Sequence, residues 1–387
     1  MAKPVRRRLR KLLPWALGLF AGGIVLVLAI AYSGIFNIAA SAGHPAWLEW
    51  LLTLGKERSV IVNSLPVDAP ELDIAGLMPL GAAHFQGGCA TCHRTPGQSL
   101  NPVYAQMLPP PPDLKINAPM WTREQLFWIV RHGIQFTGMP GWSGRDRDDE
   151  VWAVVAFLEV LPLMKVADYL KYANGNNKDN IAAQNYPASE FASQGRPKIN
   201  LSACNRCHDT SDAPPTSPYV PRLGGQDKAY LKRTLHEYHN DLRQSGFMEP
   251  IAVELDDEHI NKLADYYASL AGPVSKPVQR PSSAGLELGR QLAEHGDLLR
   301  KVPACLSCHG ANKRSDYPRL AGQSEQYLRQ QLQILQRGIR AKTPYGAIMT
   351  TIAKRLTEQQ VVAAAAFFAN QAPAERADHK AGEGLRQ

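Results

Sequence analysis

Cys305-Leu306-Ser307-Cys308-His309 is the stretch on which the whole chain turns, because its pattern occurs three times. The other copies are Cys89-Ala90-Thr91-Cys92-His93 and Cys204-Asn205-Arg206-Cys207-His208, and together the three consume all six cysteines. A single Cys-x-x-Cys is ambiguous, since it serves as half a zinc site or as a redox pair. Four-cysteine zinc would join two copies and orphan the third, and a redox pair needs no histidine after it. Cys-x-x-Cys-His, repeated three times, is the attachment signature of c-type haem. One helical turn sets both sulfurs along one edge of the macrocycle, where they add to its vinyl groups, and carries the imidazole beneath the iron. The expectation is three covalently bound haem c groups. They would be held by Cys89, Cys92 and His93, by Cys204, Cys207 and His208, and by Cys305, Cys308 and His309.

A chain of 387 residues has room for two or three ordinary domains, and three motifs favour three small ones built around their cofactors. The net charge of +8 would raise an anionic partner, but Lys3, Arg6, Arg7, Arg8, Arg10 and Lys11 supply six of those charges. No nucleic-acid partner is expected. Directly after that cluster, Leu12 to Tyr32 runs for 21 residues without a charge, enough to span about 30 Å of bilayer. Basic residues before the span stay in the cytoplasm, so the motifs face the periplasm. The expected location is the inner (cytoplasmic) membrane, single-pass. A cleaved signal peptide competes, with Ala40-Ser41-Ala42 as its cleavage site, but the apolar run exceeds a signal core of about 7–15 residues.

The expected organisation is a basic segment at 1–11, the anchor at 12–32 and a connector at 33–68. Trp47 and Trp50 in that connector suit an interfacial aromatic belt. A first haem domain follows at 69–165, a linker at 166–182, a second domain at 183–272, a linker at 273–282, a third domain at 283–375 and a tail at 376–387. The Asn-rich run at 174–180 predicts that the first domain moves separately.

The second and third domains repeat one another. Cys204 to Cys305 and Met248 to Met349 are both offsets of 101, whereas Pro221-Arg222-Leu223-Gly224-Gly225-Gln226 matches Pro318-Arg319-Leu320-Ala321-Gly322-Gln323 at an offset of 97. Each repeat holds one methionine, Met248 or Met349, 40 residues after its haem histidine. A thioether is the common sixth ligand of electron-transfer haem, although a methionine is more often core filler. Among five methionines in the first domain, Met139 fits best, in the loop Thr137-Gly138-Met139-Pro140; Met120 and His132 are weaker candidates. The expected iron ligands are therefore His93, Met139, His208, Met248, His309 and Met349. Phe157, Tyr266 and Phe367 each follow the proposed methionine by 18 residues and are expected to pack the C-terminal helix of each domain onto the N-terminal one. The prolines of Pro112-Asp113-Leu114, Pro221-Arg222-Leu223 and Pro318-Arg319-Leu320 offer carbonyls to hold each imidazole, an ordinary turn being the alternative. Arg222 and Arg319 are candidate propionate partners or solvated surface arginines.

On these motifs, the Pro-Arg-Leu strings and the late methionines, the C-terminal half resembles the dihaem cytochrome c4 family. Trp128-Ile129-Val130-Arg131-His132-Gly133-Ile134, running into Thr137-Gly138-Met139-Pro140, makes the first domain similar to class I cytochrome c domains of cbb3-type oxidases. The resemblance implies class I cytochrome c folds, and with the apolar span the expected fold class is mainly α, an N-terminal transmembrane helix followed by three class I cytochrome c domains, an anchor and an extra domain that soluble c4 proteins lack. It also implies electron transfer rather than catalysis. The expected partners are a dehydrogenase subunit, or a quinol-oxidising complex and a terminal oxidase or reductase. A haem enzyme of peroxidase type, with one open iron site, is the alternative.

Overall fold

The computed structural model describes residues 3–35, 37–176, 201–270, 282–310 and 314–372. Residues 177–200, 271–281, 311–313 and 373–387, which include the end of the first expected linker, the start of the second domain, nearly all of the second linker and the tail, lie outside the described residues. Among the described residues there is no β-strand, only a single bridge between Asp297 and Val302. The longer helices are α1 (Lys3–Ser33), α2 (Ala46–Ser64), α3 (Ile74–His84), α4 (Arg123–His132), α5 (Asp148–Val160), α6 (Val166–Asn174), α7 (Lys228–His239), α8 (Asp257–Ser269), α9 (Ser283–Glu294), α10 (Glu325–Gln336), α11 (Pro344–Ala353) and α12 (Glu358–Ala369). Residues 46–176, 201–270 and 282–372 are called the first, second and third segments below.

In the first segment α3 lies across α5, and α4 and α6 complete the core. Three acids, Asp148, Asp149 and Glu150, open α5 where the helix dipole favours them, and the apolar run behind them is buried from Val151 to Leu158 except for Trp152. The crossing is close enough to require glycine: a Cβ on Gly81 would stand 2.2 Å from the Ala153 carbonyl oxygen and 2.7 Å from Phe157 Cβ. The third segment repeats this, with α9 across α12 and a Cβ on Gly289 falling 2.3 Å from Ala363 O and 2.6 Å from Phe367 Cβ. Phe157 and Phe367 thus pack onto the N-terminal helix as expected. The N-terminal partner of Tyr266 lies outside the described residues, and Tyr266 itself is half-buried beside Tyr267 at a ring distance of 5.0 Å. Thr357 and Gln360 form a capping box at the start of α12.

The N-terminal helix α1 contains one stretch, Pro14–Ser33, long and apolar enough to cross a membrane, and none of it is buried against the rest of the chain. Ala40–Ala42 forms an exposed helical turn. The connector is more ordered than its composition suggests, since α2 packs on α4 and buries Val60 and Ser64 in its C-terminal half.

Two expectations need correction. Residues 166–174 are no linker but α6, whose Tyr169 and Ala173 are fully buried in the first core. Nor does the first segment stand apart from the second. Glu150 accepts hydrogen bonds from Ser245 Oγ and the Gly246 amide, both at 2.6 Å. Arg147 donates to the Gln244 carbonyl at 2.9 Å, Ser217 to the Gly76 carbonyl at 2.7 Å, and Asn176 to the Pro214 carbonyl at 2.7 Å. Leu77, Leu80, Ala153 and Ala156 share an apolar cluster with Val220, Tyr219 and Cys207 across the seam. A linker's composition reports its own solvation, not the surfaces of the bodies it joins.

Candidate haem-attachment sites and the cavity they line

Each motif sits on a tight helical turn. The His208 amide bonds the Cys204 carbonyl and the His309 amide the Cys305 carbonyl, both at 2.9 Å, and Ala90–His93 closes one turn after an irregular one at Phe85–Cys89. This geometry sets the two thiols and the imidazole of each copy on one side. The histidines are then held alike. Nδ1 lies 3.0 Å from the Pro112 carbonyl oxygen for His93, 3.1 Å from that of Pro221 for His208, and 2.9 Å from that of Pro318 for His309. A carbonyl only accepts, so Nδ1 carries the proton and Nε2 keeps the bare lone pair that an iron ligand would need. The prolines therefore do more than turn the chain. Burial lowers the pKa of all three imidazoles, which favours the neutral, ligating form.

A cavity of about 570 Å³ runs between the second and third segments. Cys204, Cys207 and His208 line it on one side and Cys305, Cys308 and His309 on the other, with Met248 and Met349 in the same lining. His309 Nε2 is buried there without a hydrogen-bond partner. An orphaned ring nitrogen aimed into an apolar cavity fits an iron ligand better than a satisfied core histidine. Burial raises the thiols, Cys207 and Cys305 to about 11 and Cys89 to about 12, which opposes a thiolate metal site. Among the described residues no three His, Cys, Asp or Glu side chains gather as a metal site, so the paired-motif zinc arrangement is not formed. The residues present fit haem c.

Cys89, Cys92, His93 and Met139 lie outside this lining, although the first motif approaches it through His84, Gly87 and Gly88. A Cβ on Gly87 would lie 2.9 Å from Arg206 Nη1, inside the second motif. Met139 is half-buried in its loop, and the Met107 methyl reaches so close to Gly138 that a Cβ there would stand 2.0 Å away. The weaker candidates are poorly placed: Met120 is 73 % exposed, and His132 is exposed beside Trp128.

The repeat strings meet across the cavity mouth. Gln226 donates to the Arg319 carbonyl at 2.7 Å and accepts from the Arg319 amide at 2.9 Å, and Gln323 does the same to Arg222 at 2.7 and 3.0 Å. Arg222 is buried and donates to the Gly322 carbonyl at 2.8 Å, while Arg319 pairs with Asp227 at 2.9 Å. Neither is a solvated surface residue, and both serve the seam. A second matched pair carries no motif: Arg243 is 5 % exposed and Arg340 has a buried, unpartnered Nε, and both line the cavity. They are 97 residues apart, the same offset as the Pro-Arg-Leu strings, which is the signal that could have found them. Among the described residues neither has a carboxylate partner, so both suit the acidic groups of a haem.

Cysteines, imidazoles held through Nδ1 and the apolar cavity between them define a c-type cytochrome. Residues 77–158 match the family model for cytochrome c oxidase, cbb3-type, subunit III, and residues 287–372 match the one for cytochrome c. The chain is 32 % identical over 193 residues to a thiosulfate dehydrogenase electron acceptor of Stutzerimonas stutzeri, which covers 49 % of this chain and 88 % of the relative. It is 34 % identical to cytochrome c-552 of Acidithiobacillus ferridurans, over 49 % of this chain and 83 % of that one. Cytochrome c4 of Thiocapsa roseopersicina is 31 % identical, over 45 % and 89 %. The chain belongs to the multihaem class I cytochromes c, binds haem c covalently, and is an electron carrier like these relatives.

Proposed function

We propose that this chain is a membrane-anchored trihaem cytochrome c on the periplasmic side of the inner membrane, accepting electrons from a dehydrogenase. The observation that carries it is the threefold recurrence of one arrangement, Cys-x-x-Cys-His with Nδ1 on a proline carbonyl at 2.9–3.1 Å. When bound, each haem supplies a one-electron couple. The protein's part is positional. Pro112, Pro221 and Pro318 orient the imidazoles, and Met139, Met248 and Met349 would supply thioethers to the irons, a ligand type that raises the potential. Arg243 and Arg340 hold acidic groups at the seam, and Leu12–Tyr32 tethers the chain. Relatives named as electron acceptors of thiosulfate dehydrogenase support a dehydrogenase partner, with thiosulfate as that partner's substrate. A tethered carrier feeding a terminal oxidase is the second reading, favoured by the cbb3-type match at 77–158.

Pyridine haemochrome measured per polypeptide is expected to give three haems, and two or fewer would end the trihaem reading. Met349→Ala is expected to remove one haem's share of the near-infrared thioether-to-ferric-iron absorption and to open that haem to carbon monoxide. An unchanged band would make Met349 core filler. Affinity purification of the full chain from detergent separates the two partner readings, by whether a dehydrogenase or an oxidase comes with it.

A further inference from the structure

Met248 and Met349 occupy matched places in the repeat, yet the chain holds them differently. Met349 lies inside α11, a ten-residue helix capped from within its own segment, Thr343 Oγ1 accepting the Gly346 amide at 3.0 Å. Met248 ends an irregular stretch and precedes a helical turn of only four residues, Glu249–Ala252. Its amide bonds Ser245 Oγ at 3.1 Å, and the Phe247 amide bonds the same oxygen at 3.3 Å. A serine hydroxyl has one proton and two lone pairs, and here the two amides take the lone pairs. The proton goes to Glu150 Oε1 at 2.6 Å, while Glu150 Oε2 accepts the Gly246 amide at 2.6 Å. Glu150 belongs to α5, in the first segment.

That carboxylate is itself fixed. It is 3 % exposed, lies 2.8 Å from Arg147 Nη2 and accepts from Trp142 Nε1 at 3.3 Å. The loop has no slack around it, since a Cβ on Gly246 would fall 2.3 Å from the Trp142 ring and one on Gly144 would fall 2.6 Å from the Gly246 nitrogen. Glu150 and Met248 line the same cavity. In the third segment the cap Thr343 does this work from within, and no carboxylate of another segment bonds Thr343 or Gly346 among the described residues.

From this geometry we propose that Glu150 is a positioning residue for Met248: a carboxylate of the first segment sets the loop that presents the second segment's thioether. This rests on the reading of Met248 as a sixth ligand. It makes docking of the first segment a determinant of the second haem's axial bond and potential, with the third haem independent of it.

The test uses the full-length holoprotein in detergent. Glu150→Gln keeps the volume but sets a donor against either the Gly246 amide or the Ser245 hydroxyl. The near-infrared thioether absorption is expected to fall by up to one haem's share and one potential to move downward, with haem content and the other haems unchanged. Ser245→Ala, which removes the relaying hydroxyl and leaves Glu150 in place, is expected to act on the same haem more weakly. Met248→Ala is the reference. If it leaves the absorption whole, the ligand reading falls and this proposal with it. If it removes a share while Glu150→Gln and Ser245→Ala keep every share and potential, the ligand reading stands and the positioning role is wrong. A loss spread evenly over all haems would mark a general structural role and also overturn it. Should Glu150→Gln fail to assemble, Ser245→Ala decides alone, an effect confined to one haem supporting the proposal and no effect rejecting it.

Discussion

His84 is half-buried at the seam of the first and second segments, its ring 4.9 Å from Trp142 and 4.7 Å from Phe247. Burial, and then the Arg206 guanidinium, pull its pKa from 6.5 down to about 4. Between those values the unfolded chain binds the proton and the folded chain refuses it, so stability rises with pH across that window. It is fully present above about 6.5 and lost as pH falls toward 4. The shift corresponds to roughly 3 kcal/mol. Denaturant unfolding at pH 7.5 and 4.5 is expected to show that loss, and His84→Phe, which keeps an aromatic ring at the seam, is expected to reduce it. Equal pH slopes in parent and variant would remove His84 from the account. No motif announces this histidine, because its burial comes from residues 58 and 163 positions further along the chain.

At the level of helices, the N-terminal and C-terminal helix of a segment cross over a glycine. Gly289→Ala drives a methyl into the Ala363 carbonyl, which is backbone and cannot swing aside. The expected cost is about 1–3 kcal/mol, read as a lower thermal midpoint. Gly81→Ala is expected to do the same to the first segment against Ala153. Parent-like midpoints for both would mean the crossings are looser than drawn. These helices were legible from their apolar runs and from Phe157 and Phe367. The helix α6 carries the same signal, Val166, Tyr169, Leu170 and Ala173 at i, i+3, i+4 and i+7, but it is short and runs straight into an Asn-rich flank that reads as linker.

At the scale of the molecule, the second and third segments are joined by reciprocal bonds between Gln226 and Arg319 and between Gln323 and Arg222. Truncating either glutamine strands a backbone amide and a carbonyl at the seam, at about 1–3 kcal/mol per buried group left unmade. Gln226→Ala and Gln323→Ala are each expected to lower the denaturant midpoint. The double variant is expected to lower it further and to speed amide exchange at Arg222 and Arg319. A double variant with the parent's midpoint and exchange would show that the cavity walls alone hold the two together.

The sequence by itself determined what depends on neighbours along the chain. Three Cys-x-x-Cys-His turns, the apolar span and the repeat offsets are all read along the chain or by direct self-comparison, whereas the proline carbonyls were only candidates until the fold set them 2.9–3.1 Å from the imidazoles. Only the tertiary structure decided how the segments meet. Gln226, His84 and Glu150 look like ordinary polar residues in the sequence, because their roles come from partners 58 to 163 residues away. The first segment's docking was hidden for the same reason: the Asn-rich composition at 174–180 does not show that Asn176 bonds the second segment, and the other contacts lie at Gly76, Arg147, Glu150 and Gln244. Desolvation makes each such pairing specific, since a buried carboxylate or guanidinium is tolerated only where the fold supplies its partner.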